Sequence, residues 1–122
     1  MIPEKMLEVL KNEGVVAIVT QGQEVHVVNT WNSYIKITEE GTLLIPAGSM
    51  NKTEENIKKK DKVLVTIGSR EVEGFHSMGT GFLIKGTGEF SYEGEDYDIM
   101  KESFPWMRAV LRIKPSEIKQ TL

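Results

Sequence analysis

No cysteine occurs among the 122 residues, which excludes disulfides, thiolate metal sites, iron–sulfur clusters and thiol nucleophiles. Basic charge is also short, because 15 Lys and Arg against 18 Asp and Glu leave a formal net charge of -3. Nucleic-acid binding needs clustered cations that displace counterions from phosphates, so no nucleic-acid partner is expected. Long apolar runs are missing as well. The opening stretch MIPEKMLEVLKNEGVVAIV interrupts its apolar residues with Glu4, Glu8 and Glu13, unlike the centre of a signal peptide. No segment approaches the length of a membrane span. The expectation is a cytoplasmic protein with no membrane partner. The two histidines, His26 and His76, lie apart, each without a carboxylate or second histidine at ligand spacing, so no metal site is expected. No nucleophile elbow is present, and no side chain stands out as a catalytic acid or base.

What the chain does contain fits one compact domain over residues 1–122, with one core. PEKMLEVLKN, 3 to 12, places Met6, Leu7 and Leu10 on one side of a short helix, with Pro3 in the first turn and Gly14 as the stop. VVAIVT, 15 to 20, is a β-branched run that reads as a strand covered on both faces, with residues 27 to 37 as its hairpin partner. GTLLIPAGSM, 41 to 50, starts as a strand that Pro46 should break, since proline donates nothing to a ladder. NKTEENIKKK, 51 to 60, carries acids in its first turn and lysines in its last, the charge order of a helix dipole. Strands follow over 62–69 and 81–92, the latter with a bulge or bend at Gly86 and Gly88. A short acidic helix is expected over 95–104, then a last strand through Ile113 and an irregular tail. At least six strands with two or three short helices in so small a domain predict a mainly β fold, a closed antiparallel barrel with helices at its ends.

Two stretches could carry chemistry. In GSMNKT, 48 to 53, a loop enters a helix with Ser49, Asn51, Lys52 and Thr53. Hydroxyls, an ammonium and free backbone N–H groups then meet at the positive end of a dipole, an arrangement suited to a phosphate monoester. A capped surface helix with a solvated lysine is the plainer reading of the same residues. The second stretch is VVNTWNSYIKI, 27 to 37, with Asn29, Thr30, Trp31, Asn32 and Ser33 in a row. As a strand it would carry polar groups on both faces. Each would cost about 1–3 kcal/mol if buried without a partner, so the run implies a wet edge or a polar ligand. Trp106, after Pro105, either packs in a core or interface or stacks on a flat ligand. GTGFLIKG, 79 to 86, lacks the Walker spacing and reads as sheet.

Taken in order, NEGVVAIVTQG, VNTWNSYIKI, IPAGSMNKTEENI, VTIGSR, GTGFLIKG and the terminal KQTL resemble the small FMN-binding proteins of sulfate-reducing bacteria. Those belong to the flavin-binding split-barrel families related to pyridoxamine phosphate oxidase. The likeness covers almost the whole chain and departs from the family at Asn51, Met78 and the segment 70 to 78. It implies a six-stranded antiparallel Greek-key split barrel, a homodimer, and one FMN per subunit near the interface. By the same resemblance Asn29, Thr30, Lys52 and Thr53 hold the flavin phosphate. Pro46, Ala47, Gly48 and Ser49 pass along the isoalloxazine edge, where glycine lets the backbone approach. Trp31 and Trp106 flank the ring region, and Leu122 lies in a tail that crosses the interface.

The function so implied is that of an electron-transfer flavoprotein, the protein supplying binding, electrostatic setting and access to an unidentified redox partner. The alternatives are a flavin reductase or oxidase acting on a small substrate, and a split-barrel module for another phosphorylated ligand.

Overall fold

The computed structural model describes residues 1–122. Helix α1 (Glu4–Leu10) leads into β1 (Val15–Gln21) and β2 (Val25–Trp31). A 3₁₀ turn, Asn32–Tyr34, precedes the two-residue β3 (Lys36–Ile37), then β4 (Leu43–Ala47) and α2 (Asn51–Lys59). The remainder is β5 (Lys62–Glu73), β6 (Met78–Ser91), α3 (Glu95–Ser103) and β7 (Ala109–Gln120). All pairings are antiparallel, in the order β2-β1-β5-β6-β7-β4-β3.

The sheet has seven strands rather than the expected six. The extra one arises where the segment 27 to 37 breaks in two. Asn32 is fully buried, and its Nδ2 donates to the carbonyls of Val9, Asn12 and Gly68 at 3.2, 2.8 and 2.9 Å. Those bonds tie α1, the turn that follows it and the middle of β5 to one side chain. The chain turns there, and Lys36–Ile37 pairs with Leu44 and Leu43 instead of continuing along β1.

Pro46 does not break its strand. It lies in β4 opposite Val110, and β3 pairs no further than Leu44, so that side of β4 has no ladder left for an N–H to serve. The tail is not irregular either. β7 continues to Gln120 along β6, passing Pro115 at a register shift beside Lys85 and Gly86, where Ser116 Oγ donates to the Lys85 carbonyl at 3.1 Å. An irregularity therefore falls at Gly86 as expected, but the extra residue is Ser116 of β7 and not a residue of β6, and Gly88 pairs in regular register with Ile113.

Two apolar clusters hold the fold. The larger gathers Met6 and Val9 of α1, Ile57 of α2, and residues of β1, β4, β5, β6 and β7 around one interior, so the sheet curls around a shared core. A fully buried aliphatic side chain contributes about 1.5–3 kcal/mol. The buried stripe of α1 is Met6 and Val9; Leu7 is exposed. β1 alternates buried and partly exposed residues instead of being covered on both faces. β4 is the strand buried throughout, because Met100 and Met107 cover Leu44 and Val110 from outside while Leu43 and Ile45 face the core. No helix is long and apolar enough to cross a membrane.

Candidate functional site

β4 delivers Pro46 and Ala47, both buried, to the exposed Gly48 and Ser49. Met50 follows in the left-handed region at φ 58, ψ 34, a conformation that costs a non-glycine residue about 1–2 kcal/mol. Helix α2 then begins at Asn51 with no side chain capping it. The N–H groups of a helix's first turn have no partner within the helix, so those of Asn51, Lys52 and Thr53 stand free at the positive end of α2.

Thr53 is fully buried, and its Oγ1 has no hydrogen-bond partner. A buried hydroxyl left in this state costs about 1–3 kcal/mol. Lys52 is half-exposed and meets Glu55 at 3.5 Å along the helix. Such a surface pair is worth about 0–1 kcal/mol, little enough for an anion to replace it. Free N–H groups, an ammonium and an orphaned hydroxyl together form a donor set that suits a phosphate monoester. The residues fit such a group.

The loop wall is aromatic. A Cβ added to Gly48 would lie 3.2 and 3.3 Å from the Trp106 ring, so glycine is what lets the indole lie against the loop. Trp106 stands 53% exposed and packs with Tyr34 and Phe104 at centroid distances of 5.7 Å each, while Tyr34 and Phe104 lie 5.0 Å apart. An indole this exposed presents a flat apolar face to solvent.

Residues of the polar stretch divide. Asn32 is structural, as described, and Ser33 Oγ bonds Glu13 Oε2 at 3.1 Å. Asn29 Nδ2 reaches the Val16 carbonyl at 3.3 Å from the edge strand β2. Thr30 is buried opposite Val16, and Trp31 is exposed opposite Val15. α2 packs against β1, β2 and β6, which sets the helix and the Asn29–Thr30 strand side by side. Leu122 belongs elsewhere. It lines a cleft of about 630 Å³ with Glu13, Gly68, Arg70, Met78 and Thr80, and its carbonyl accepts from Thr80 Oγ1 at 2.8 Å and Phe75 N–H at 3.2 Å. Within one chain, then, Gly48, Ser49, Lys52, Thr53 and Trp106 share one neighbourhood and Leu122 lies in another.

Arg108 joins the site from a distant part of the chain. Its Nη2 and Nε donate to the Ser49 carbonyl at 2.7 and 3.2 Å, and Nη2 also meets Glu54 Oε1 at 2.9 Å. No local pattern announces a contact that spans 59 and 54 positions. A second arginine, Arg112, has its guanidinium pKa raised by its hydrogen bond to Asp96 against the opposing effect of burial.

A curled antiparallel sheet with an uncapped, donor-lined helix start beside an aromatic wall defines a small barrel-type protein suited to a phosphorylated, flat ligand. The chain belongs to the pyridoxamine 5'-phosphate oxidase family, which it matches over residues 2–122. It is 47% identical over 123 residues to the FMN-binding protein of Nitratidesulfovibrio vulgaris (strain DSM 19637 / Miyazaki F), covering 100% of both chains. Among solved structures, HupZ of Group A Streptococcus superposes with a TM-score of 0.80 at 18% identity, over 98% of this chain and 94% of that one. An FMN-binding protein of Syntrophomonas wolfei gives 0.72 at 18% identity, over 98% and 85%. These last two likenesses speak for the fold.

Proposed function

We propose that the protein binds one FMN non-covalently per chain and works as an electron-transfer flavoprotein. The observation that carries the reading is the buried, unpartnered Thr53 hydroxyl in the uncapped first turn of α2. With Lys52 and the neighbouring Asn29–Thr30 strand, it would hold the phosphate. Pro46 to Ser49 would lie along the ring edge, with Trp31 and Trp106 beside it. The relative that is 47% identical carries FMN-binding in its name, which supports the same cofactor here.

Bound FMN supplies the one- or two-electron chemistry. The chain's own residues bind and orient it, and the exposed Gly48–Ser49 loop leaves the ring edge open to a redox partner. The strand order fits a Greek-key split barrel. Assembly as a homodimer is part of the proposal: Leu122 is 64% exposed in its own cleft, so a second copy would bring its Leu122 to the flavin. A cytoplasmic location belongs to the same reading.

The test is reconstitution followed by anaerobic titration. The purified protein should take up one FMN per chain, accept electrons from a reduced carrier and turn over nicotinamide cofactors slowly. Fast turnover with reduced nicotinamide would favour a flavin reductase, and a chain that stays colourless with excess FMN would end both readings.

A further inference from the structure

We propose that Arg108 is a positioning residue that makes the start of α2 selective for a doubly charged phosphate; the inference rests on the phosphate-site reading above. Glu54 stands in the first turn of α2. A carboxylate there complements the helix dipole, and for that reason it competes with any anionic ligand for the same positive end. Its side chain is only 13% exposed, so solvent screens it poorly. Two cations face it. Lys58 Nζ lies 3.9 Å from Oε2 on a side chain 70% exposed, a weak pair. Arg108 Nη2 lies 2.9 Å from Oε1 and is half as exposed, at 34%. Arg108 is therefore the group that cancels Glu54.

The same guanidinium fixes the loop. Its Nε and Nη2 both point at the Ser49 carbonyl, the residue before the left-handed Met50. Arg108 itself is anchored through its backbone N–H to the Ala47 carbonyl at 2.9 Å. One side chain thus engages the Ser49 carbonyl, neutralises the first-turn carboxylate of α2 and braces the turn that leads into the free N–H groups. A planar fork performs this; a lysine reproduces the charge without the double contact.

The charge part of the role appears in the ratio of FMN to riboflavin affinity, because only FMN carries the phosphate. Fluorescence titration of both ligands is applied to wild type, R108Q, R108K, E54Q and the double variant R108Q/E54Q, with folding checked by circular dichroism. R108Q should lower the ratio about tenfold, since it leaves a carboxylate uncancelled in a poorly screened site. Adding E54Q should return the ratio to within about threefold of wild type by removing that charge, and R108K should hold it there. A merely structural arginine would weaken both ligands alike and leave the ratio unmoved, which would overturn the proposal, as would a double variant no better than R108Q. Should R108Q not fold, E54Q alone decides: the ratio should stay or rise, and a fall contradicts the role. A wild type that binds FMN no better than riboflavin would instead end the phosphate-site reading itself.

Discussion

Replacing Thr53 with valine moves two quantities in opposite directions. In the protein without ligand, Oγ1 is buried and has no partner, so exchanging the hydroxyl for a methyl removes an unsatisfied polar group worth about 1–3 kcal/mol. Threonine and valine have similar helix propensities, so the backbone contributes little to the difference. At the low end of that range the flavin-free protein should melt about 3–5 °C higher, given the thermal response typical of a domain this size. With FMN bound, the hydroxyl would donate to a charged oxygen, a bond worth about 1.5–3 kcal/mol. T53V should therefore bind FMN about 10- to 100-fold more weakly, while riboflavin affinity changes within about twofold. Calorimetric melting of the flavin-free protein and fluorescence titration of both flavins give the two arms. A lower melting temperature with unchanged FMN affinity would make the hydroxyl an ordinary structural one with no part in holding phosphate.

Lys52→Ala should weaken FMN binding about tenfold or more through loss of a charge-assisted contact, and riboflavin binding hardly at all; equal losses in titration would contradict its role. Trp106→Ala should shift flavin reduction potential and fluorescence while lowering stability by no more than about 1.5 kcal/mol, because the side chain is 53% exposed. A collapsed urea midpoint with an unaltered flavin spectrum would show a core residue instead. Asn32→Ala should cost about 2–4 kcal/mol in urea unfolding, since it removes a buried amide that serves carbonyls of α1, the turn after it and β5 at once. A loss below about 0.5 kcal/mol would mean that water serves those carbonyls equally well.

Much of the architecture was legible because local pattern and final structure agree. The acidic start and lysine-rich end of NKTEENIKKK became α2 over Asn51–Lys59, and the run VVAIVT became β1, paired in a hairpin with β2. The misreadings share a cause: each depends on something distant. Asn32 looks like a ligand-facing amide until α1 and β5 bring it three carbonyls. Pro46 looks like a stop until β3 proves too short to need its N–H. Burial on both faces belongs to β4 and not to β1, because α3 and the Met107 turn happen to lie over β4. The site shows the same limit. Lysine, hydroxyls and glycine in GSMNKT are visible in the chain, whereas the uncapped helix, the left-handed Met50 and the Arg108 brace appear only once β7 is set beside β4.

Whether the first turn of α2 holds a flavin phosphate is decided by a crystal structure grown with FMN. Phosphate oxygens should lie within hydrogen-bond distance of Thr53 Oγ1, Lys52 Nζ and the free N–H groups of Asn51 to Thr53. A flavin seated in another part of the protein, with Thr53 Oγ1 still unpartnered, would contradict it.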